Sequence, residues 1–120
     1  MDDSLLAFIG SPPASLWECR RKHFELEHLK IYVRAEFLFI EETLSPVFTL
    51  STAELLDLSN KGKGHFKHFA IWLEDAVRDA GYPWIKAESV LDIDHVKALQ
   101  KYGYKVVSST SPIPDLIKPL

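Results

Sequence analysis

The sequence has very little cysteine: Cys19 is the single cysteine among 120 residues, so no intramolecular disulfide can form. A lone cysteine fits a reducing compartment, and we expect a cytoplasmic protein. Long apolar runs are also missing, since none approaches the roughly 20 residues of a membrane-spanning helix. The chain starts with acidic residues, Asp2 and Asp3, where a secretory signal would be basic. We therefore expect neither membrane insertion nor export.

The sequence also has no excess of positive charge. The formal net charge is −3, which argues against general nucleic-acid binding. Internal repeats and low-complexity segments are lacking too, and the length fits one domain over residues 1–120. A domain of this size buries enough surface to fold without a structural metal ion or a disulfide.

The first half of the chain changes from helical to strand-like patterning. Two short helices are predicted within 1–22, one over 5–9 and one over 14–22. From His23 apolar and polar residues alternate with a period of two, which is typical of strands. A change of phase predicts a bulge or turn near His28. A turn over 41–46 is followed by strand pieces at 47–50 and 53–58, or by one strand with a kink at 51–52. An antiparallel meander is the result.

The second half alternates helices and strands. Apolar residues spaced three and four apart predict a helix over 65–80, ended by Gly81 in a left-handed conformation. A strand over 83–90, a helix from Asp92 to Tyr102 and a strand over 104–108 follow. Residues 109–120 read as a coil-like tail. The predicted class is α/β, more strictly α+β. It is a mixed twisted sheet, with an antiparallel meander and then β-loop-α-β-α-β, and with helices on both faces.

A glycine-rich loop joins the meander to the long helix. Gly62 and Gly64 allow a tight turn, and Lys61, Lys63 and Lys67 add positive charge. A helix start offers unpaired N–H groups to an anion such as a pyrophosphate. The spacing fits neither a Walker P-loop nor the dinucleotide fingerprint GxGxxG, which would need glycine at 67. A simple turn between a strand and a helix is the alternative interpretation.

Several segments together resemble the GNAT family of acetyl-CoA-dependent N-acetyltransferases. The family motif Gln/Arg-x-x-Gly-x-Gly/Ala is similar to the stretch 61–66, in which Gly64 matches the first glycine, Lys61 replaces Arg or Gln, and Phe66 replaces the small residue. Farther on, the stretches 80–82 and 100–104 look like the second half of the family. The stretch 87–92 with Gly103 and Tyr104 resembles a small subgroup often found in bacteriophage genomes. The resemblance covers about residues 47–107.

The resemblance implies a site for acetyl-CoA as co-substrate. Backbone groups of the loop would hold the pyrophosphate, and a strand at 56–58 would pair with the pantetheine arm. The implied cofactor-binding residues are Leu56, Asp57, Leu58, Lys61, Gly62, Lys63, Gly64, His65, Phe66 and Lys67.

The reaction would be direct attack of an amine, possibly of a protein, on the thioester, and it needs a base and an acid. Glu54, Asp57 and Glu88 are candidate bases, and Glu88 is preferred, with a pKa raised by burial. Many family members carry a tyrosine as the acid at the position of Leu99. Tyr102 and Tyr104 are the nearby alternatives, of which Tyr104 is the candidate acid, and core packing and helix closure are the other roles open to both.

Three further expectations complete this interpretation. The histidines, including His65 and His68, have no recognisable metal-ligand spacing, so no metal site is predicted. A homodimer is possible, because one C-terminal strand stands where the family usually has two. Phe66 and Leu99 favour an alternative function: a GNAT-like fold without catalysis that binds a protein target or CoA alone.

Overall fold

The computed structural model describes residues 3–57, 59, 62–88, 93–107 and 113–120. Three helices and six strands follow one another along the chain. They are α1 (Asp3–Ile9), β1 (Cys19–Glu25), β2 (Leu29–Ile40), β3 (Thr43–Leu55), α2 (His65–Asp79), β4 (Trp84–Ala87), α3 (Ile93–Lys101), β5 (Lys105–Val107) and β6 (Asp115–Pro119). None of the helices in these ranges is long and apolar enough to cross a membrane.

The strands form one mixed sheet in the order β1-β2-β3-β4-β6-β5. Strands β1 to β3 make the predicted antiparallel meander. Strand β4 runs parallel to β3, as expected for strands joined through the crossover helix α2. The last three strands are not in chain order, because β6 lies between β4 and β5 and is antiparallel to both. The α+β class with a mixed sheet is therefore confirmed.

The hydrophobic core lies between the helices and one face of the sheet. Phe8 of α1 packs edge-on against Phe24 of β1 and Phe48 of β3. Register pairs continue that face from Phe48 through Ile85 to Lys118, whose ammonium lies 2.6 Å from Glu74 of α2. These contacts place α1 and α2 on the same face, whereas the sequence suggests helices on both faces.

The opposite face of the sheet is charged, which accounts for the one-sided helix packing. Tyr32, Arg34 and Glu36 alternate along β2 with the buried Ile31, Val33 and Ala35. Alternation of this kind is typical of an antiparallel sheet with one face on the core and the other toward solvent. The same polar face continues onto β4 at Lys86, which pairs with the register position of Thr49.

Two predicted elements of the first half are wrong. The helix over 14–22 is absent, because a turn at 15–18 leads into β1, which gains its hydrogen-bond partners from β2. The turn over 41–46 contracts to Glu41 and Glu42, both with positive φ (51° and 65°), and β3 starts at once. Two left-handed residues suffice to close a hairpin. The kink expected at 51–52 is confirmed, since the register shifts between Tyr32 and Val33 and leaves Ser51 as an extra residue.

The coil predicted for the C-terminal tail is also wrong in part. Residues 115–119 form β6, with Pro119 at the strand end, where a missing N–H is tolerated. This strand supplies the second C-terminal strand from within the chain, so the reason for expecting completion by a partner chain no longer holds. The helix over 65–80 is confirmed as α2, and Gly81 has a φ of 90° as predicted.

Candidate functional site

The loop before α2 has the backbone geometry of an anion-binding site. Gly62 and Gly64 have φ values of 83° and 78°, a left-handed conformation that glycine adopts without strain. Gly64 caps the helix, and no side chain makes a capping hydrogen bond there. The first helical hydrogen bond runs from His68 N–H to Gly64 O at 3.0 Å. The N–H groups of residues 65–67 are therefore left without helical partners at the positive end of the helix dipole.

Strand β3 continues beyond its parallel neighbour β4 at the end that leads to this loop, and we call the point where their described pairing ends the divergence. Strand β4 pairs with β3 only from Val47↔Trp84 to Leu50↔Ala87, and Glu88 N–H then donates to Leu50 O at 3.0 Å. Strand β3 continues to Leu55 alongside β2. Beyond Glu88, β3 therefore extends past the end of β4, as the predicted slot for an extended ligand requires.

Within the pantetheine edge predicted at 56–58, Leu56 and Asp57 are not part of a strand. Strand β3 ends at Leu55, and Leu56 N–H donates to His28 O at 3.0 Å in the β1–β2 turn. Asp57 instead accepts a hydrogen bond from Ser59 N–H at 2.9 Å, which lowers the pKa of its carboxyl group. The available edge is therefore the last part of β3. Leu58 and Lys61 lie outside the described residues.

Glu88 lies at the divergence, but as a paired carboxylate. Arg34 Nη2 is 2.5 Å from one carboxyl oxygen, Ser51 Oγ donates to the other at 3.1 Å, and Lys86 Nζ is 3.5 Å away. Burial alone would raise the pKa of Glu88, but the hydrogen bond and charge of Arg34, with Ser51 and Lys86, outweigh burial and lower it. The predicted raised pKa is wrong, because the sequence gives no sign that Arg34 reaches across the sheet.

Tyr104, the candidate acid, is placed in the core beside the far edge of the sheet. It is buried, and burial together with the charge of Glu74 raises the pKa of its phenol. Lys118 Nζ lies 5.8 Å from its ring centroid. Strand β6 separates β5, which begins just after Tyr104, from β4 and the divergence. Leu99, at the position where the family often has tyrosine, is a buried core residue. The structure thus groups Tyr104 with α2 and β6 and not with Glu88.

Phe66 occupies the space between two helix starts. Its ring stacks on His95 of α3 with centroids 4.5 Å apart and planes 18° apart. Phe66 belongs to the first turn of α2 and His95 to the first turn of α3. The partly buried ring also packs against the core. It therefore points away from the loop backbone and closes the gap between these two N-terminal turns.

His65 packs away from the loop as well. Its ring stacks on His28 with centroids 3.9 Å apart, and its Nε2 is buried without a hydrogen-bond partner among the described groups. Desolvation, with the charges of His28, Lys63 and His68, lowers the pKa of His65. A cavity of about 150 Å³ adjoins this pair. In the parts of the chain that the structure describes, no group of histidine, cysteine and acidic side chains could hold a metal ion.

Comparison of the structure with solved structures identifies the fold. No protein-family model and no curated protein matches the sequence. A point mutant of the toxin AtaT, bound to the C-terminus of the antitoxin AtaR and to acetyl-CoA, matches with a TM-score of 0.62 at 16% identity. The match covers 77% of this chain, which spans only 58% of the AtaT chain.

Two further structures match over almost the whole chain. A protein from Agrobacterium tumefaciens described as an acetyltransferase has a TM-score of 0.62 at 13% identity, with 98% of this chain and 87% of that one covered. The KacTA–DNA complex gives 0.61 at 14%, with 98% and 80% covered. The chain has a GNAT-like fold. The resemblance seen in the sequence is confirmed at the level of the fold.

The sequence signals captured only part of this site. As the sequence predicts, Gly62 and Gly64 lie just before α2, and Glu88 lies at the end of β4. Arg34, Ser51 and His95 were missed, because each acts through a partner far away in the chain. For Ser51, the expected kink at 51–52 is the hint that the sequence offers.

Proposed function

We propose that the protein is an N-acetyltransferase that uses acetyl-CoA as co-substrate and transfers the acetyl group to an amine. The observation that carries the proposal is the pair of left-handed glycines before the uncapped start of α2. The GNAT-like fold and the AtaT structure with bound acetyl-CoA support it. The divergence of β3 and β4 supplies the neighbouring slot.

The residues present fit the pyrophosphate and pantetheine of such a co-substrate. The N–H groups of residues 65–67 would bind the phosphates, aided by the helix dipole and by the exposed Lys67. The part of β3 between Leu50 and Leu55, which pairs with β2 alone among the described strands, would pair with the amide groups of the pantetheine arm. Acetyl-CoA supplies the thioester whose carbonyl carbon the amine attacks, with cleavage of the C–S bond.

Proton transfer is the step for which the described residues give the least support. Glu88 is held as a carboxylate by Arg34, and its lowered pKa makes it a weak base. We therefore propose that Glu88 positions the slot, and that the amine reaches the site deprotonated by solvent. The rate should then rise with pH until the amine's own pKa is passed. Tyr104 as the acid stays a prediction, and its burial beside Lys118 argues against it.

Binding of acetyl-CoA tests the proposal most directly. Titration calorimetry should give micromolar binding to the unmodified chain, and Gly64→Trp should weaken it at least about tenfold. Gly81→Trp is the matched control, because Gly81 also has a positive φ and open space around its Cβ position, but lies at the other end of α2. Equal loss in both variants, or no binding at millimolar acetyl-CoA, would contradict the proposal.

A second function is favoured by one observation. The stack of Phe66 on His95 closes the gap between the starts of α2 and α3. If this closure prevents acetyl transfer, the chain is a GNAT-like fold without catalysis that binds CoA or a protein target. The AtaT structure, with its antitoxin segment, is an example of this fold bound to a protein. Release of free CoA thiol from acetyl-CoA in the presence of a panel of amines distinguishes the two functions.

A further inference from the structure

A groove lies at the sheet edge opposite to β5, between α1 and β1. We call it the basic groove; its volume is about 650 Å³, and its lining includes Phe8, Ser11 and the residues 19–22. Arg20, Arg21 and Lys22 are its charged lining residues, and no carboxylate lines it in the described structure. Three adjacent cations in a chain of net charge −3 make this groove a local centre of positive potential.

Two of these cations have contacts that hold their charged ends in place. The Arg20 guanidinium lies over the Phe8 ring at 5.4 Å from its centroid and donates a hydrogen bond to Ser11 O. Glu18 is 3.7 Å from Arg20 Nε, and Arg21 donates to Cys19 Sγ at 3.8 Å. Lys22 Nζ is 5.2 Å from the Phe24 ring centroid. Side chains fixed in this way lose little further entropy when they bind an anionic group.

Strand β1 also offers its backbone. It is the first strand in the sheet order and pairs only with β2 in the described structure. An edge strand of this kind presents alternate N–H and C=O groups that can pair with one more strand. Hydrogen bonding to such an edge selects an extended polypeptide, whereas a nucleic-acid backbone would use the cations alone.

An exposed tryptophan lies in the turn before this edge strand. Trp17 is 94% exposed and lies directly before β1. Its turn is fixed by two hydrogen bonds, from Glu18 N–H to Ser15 O at 3.2 Å and from Ala14 N–H to Glu18 Oε2 at 3.0 Å. An exposed tryptophan on a fixed turn is typical of a binding anchor that becomes buried in a complex.

We propose that the basic groove and the free edge of β1 bind an extended acidic segment of a partner protein. The segment adds a strand beside β1, its carboxylates pair with Arg20 and Lys22, which share one face of that strand, and an apolar side chain packs on Trp17. This surface is separate from the loop at Gly64, so the proposal is independent of acetyl transfer.

The test uses three fluorescein-labelled octapeptides and measures fluorescence anisotropy at low salt. One alternates Glu with Val, the second alternates Lys with Val, and the third is the Glu–Val peptide with every second backbone nitrogen methylated. The Glu–Val peptide should bind, and more weakly as salt screens the charges. The Lys–Val and methylated peptides should bind at least about tenfold more weakly. Equal binding of the methylated peptide would overturn the added strand.

Two variants and a control locate the site on the protein. Lys22→Glu and Trp17→Ala should each weaken binding of the Glu–Val peptide about tenfold. Lys105→Glu is the matched control, because Lys105 is an exposed lysine on β5, the opposite edge strand, and binding should change less than twofold. Equal effects of Lys22→Glu and Lys105→Glu would overturn the assignment. If a 20-nucleotide single-stranded DNA displaces the peptide completely and binds more tightly, the ligand of this groove is a nucleic acid and the peptide proposal is overturned.

Discussion

The ion pair between Arg34 and Glu88 ties together strands that are far apart in the sequence. Both side chains are mostly buried, with 20% and 16% of their side-chain surface exposed. In Arg34→Met, Glu88 keeps Ser51 and Lys86 but loses its shortest contact. A hydrogen bond to a charged group contributes about 1.5–3 kcal/mol. We therefore expect Arg34→Met to lower the free energy of unfolding by about 2 kcal/mol, and Tm by roughly 8 °C.

The pH dependence of this loss follows from the lowered pKa of Glu88. A carboxyl group with a lowered folded-state pKa stabilises the protein above its unfolded pKa, near about 4.3. That stabilisation is lost as the pH falls through the folded-state pKa. The stability difference between wild type and Arg34→Met should therefore be full at neutral pH and shrink in acid. In a Glu88→Gln background the difference should be small at every pH.

The assay is thermal unfolding at pH 7 and at acid pH for both single variants and the double variant, which gives the coupling energy. Arg78→Met is the control, because Arg78 is 45% exposed and its pairs with Glu74 and Asp75 lie along one helix. Its cost should stay below about 0.5 kcal/mol. The reasoning is refuted if Arg34→Met costs no more than Arg78→Met, or if its cost is the same in acid as at neutral pH.

Three further substitutions test individual side chains. Phe66→Ala removes the ring stacked on His95; because the ring points away from the loop backbone, the affinity for acetyl-CoA in calorimetry should change less than about threefold, and binding at least about tenfold tighter would show that the ring obstructs the site. Tyr104→Phe should change the rate of CoA release less than twofold, whereas a hundredfold loss would make Tyr104 the acid. Tyr82→Phe should raise the free energy of unfolding by about 1 kcal/mol in urea. The Tyr82 hydroxyl is buried without a hydrogen-bond partner in the described structure, and burial raises its pKa to about 12. A destabilised Tyr82→Phe would mean that the hydroxyl is satisfied.

The elements that could be predicted are those with a strong local pattern. Helix α2 repeats its apolar residues at helical spacing, and Gly81 ends it. The meander has the alternation of half-buried strands, and the kink expected at 51–52 coincides with the extra residue Ser51. The failures at 14–22, at 41–46 and in the C-terminal tail fall on segments in which part of the chain becomes a strand because a neighbouring strand supplies its hydrogen bonds.

The candidate site divides in the same way. Gly62 and Gly64 could be recognised because their backbone conformation excludes most other residues. The state of Glu88 could not, since its pKa depends on Arg34 and Ser51 from other strands. The directions of the Phe66 and His65 rings were equally hidden, because each is set by a ring from another element.

The sequence by itself determined the helix periodicity, the strand alternation and the glycine loop, because each of these follows from local backbone preferences and local burial. Only the tertiary structure decided that α1 and α2 share one face, that β6 inserts between β4 and β5, and that β1, with its basic residues, is an edge strand of the described sheet. It also turned Glu88 from an expected base into a paired carboxylate. Charges and strand edges are matched across distant parts of the chain, so their partners exist only once the chain has folded.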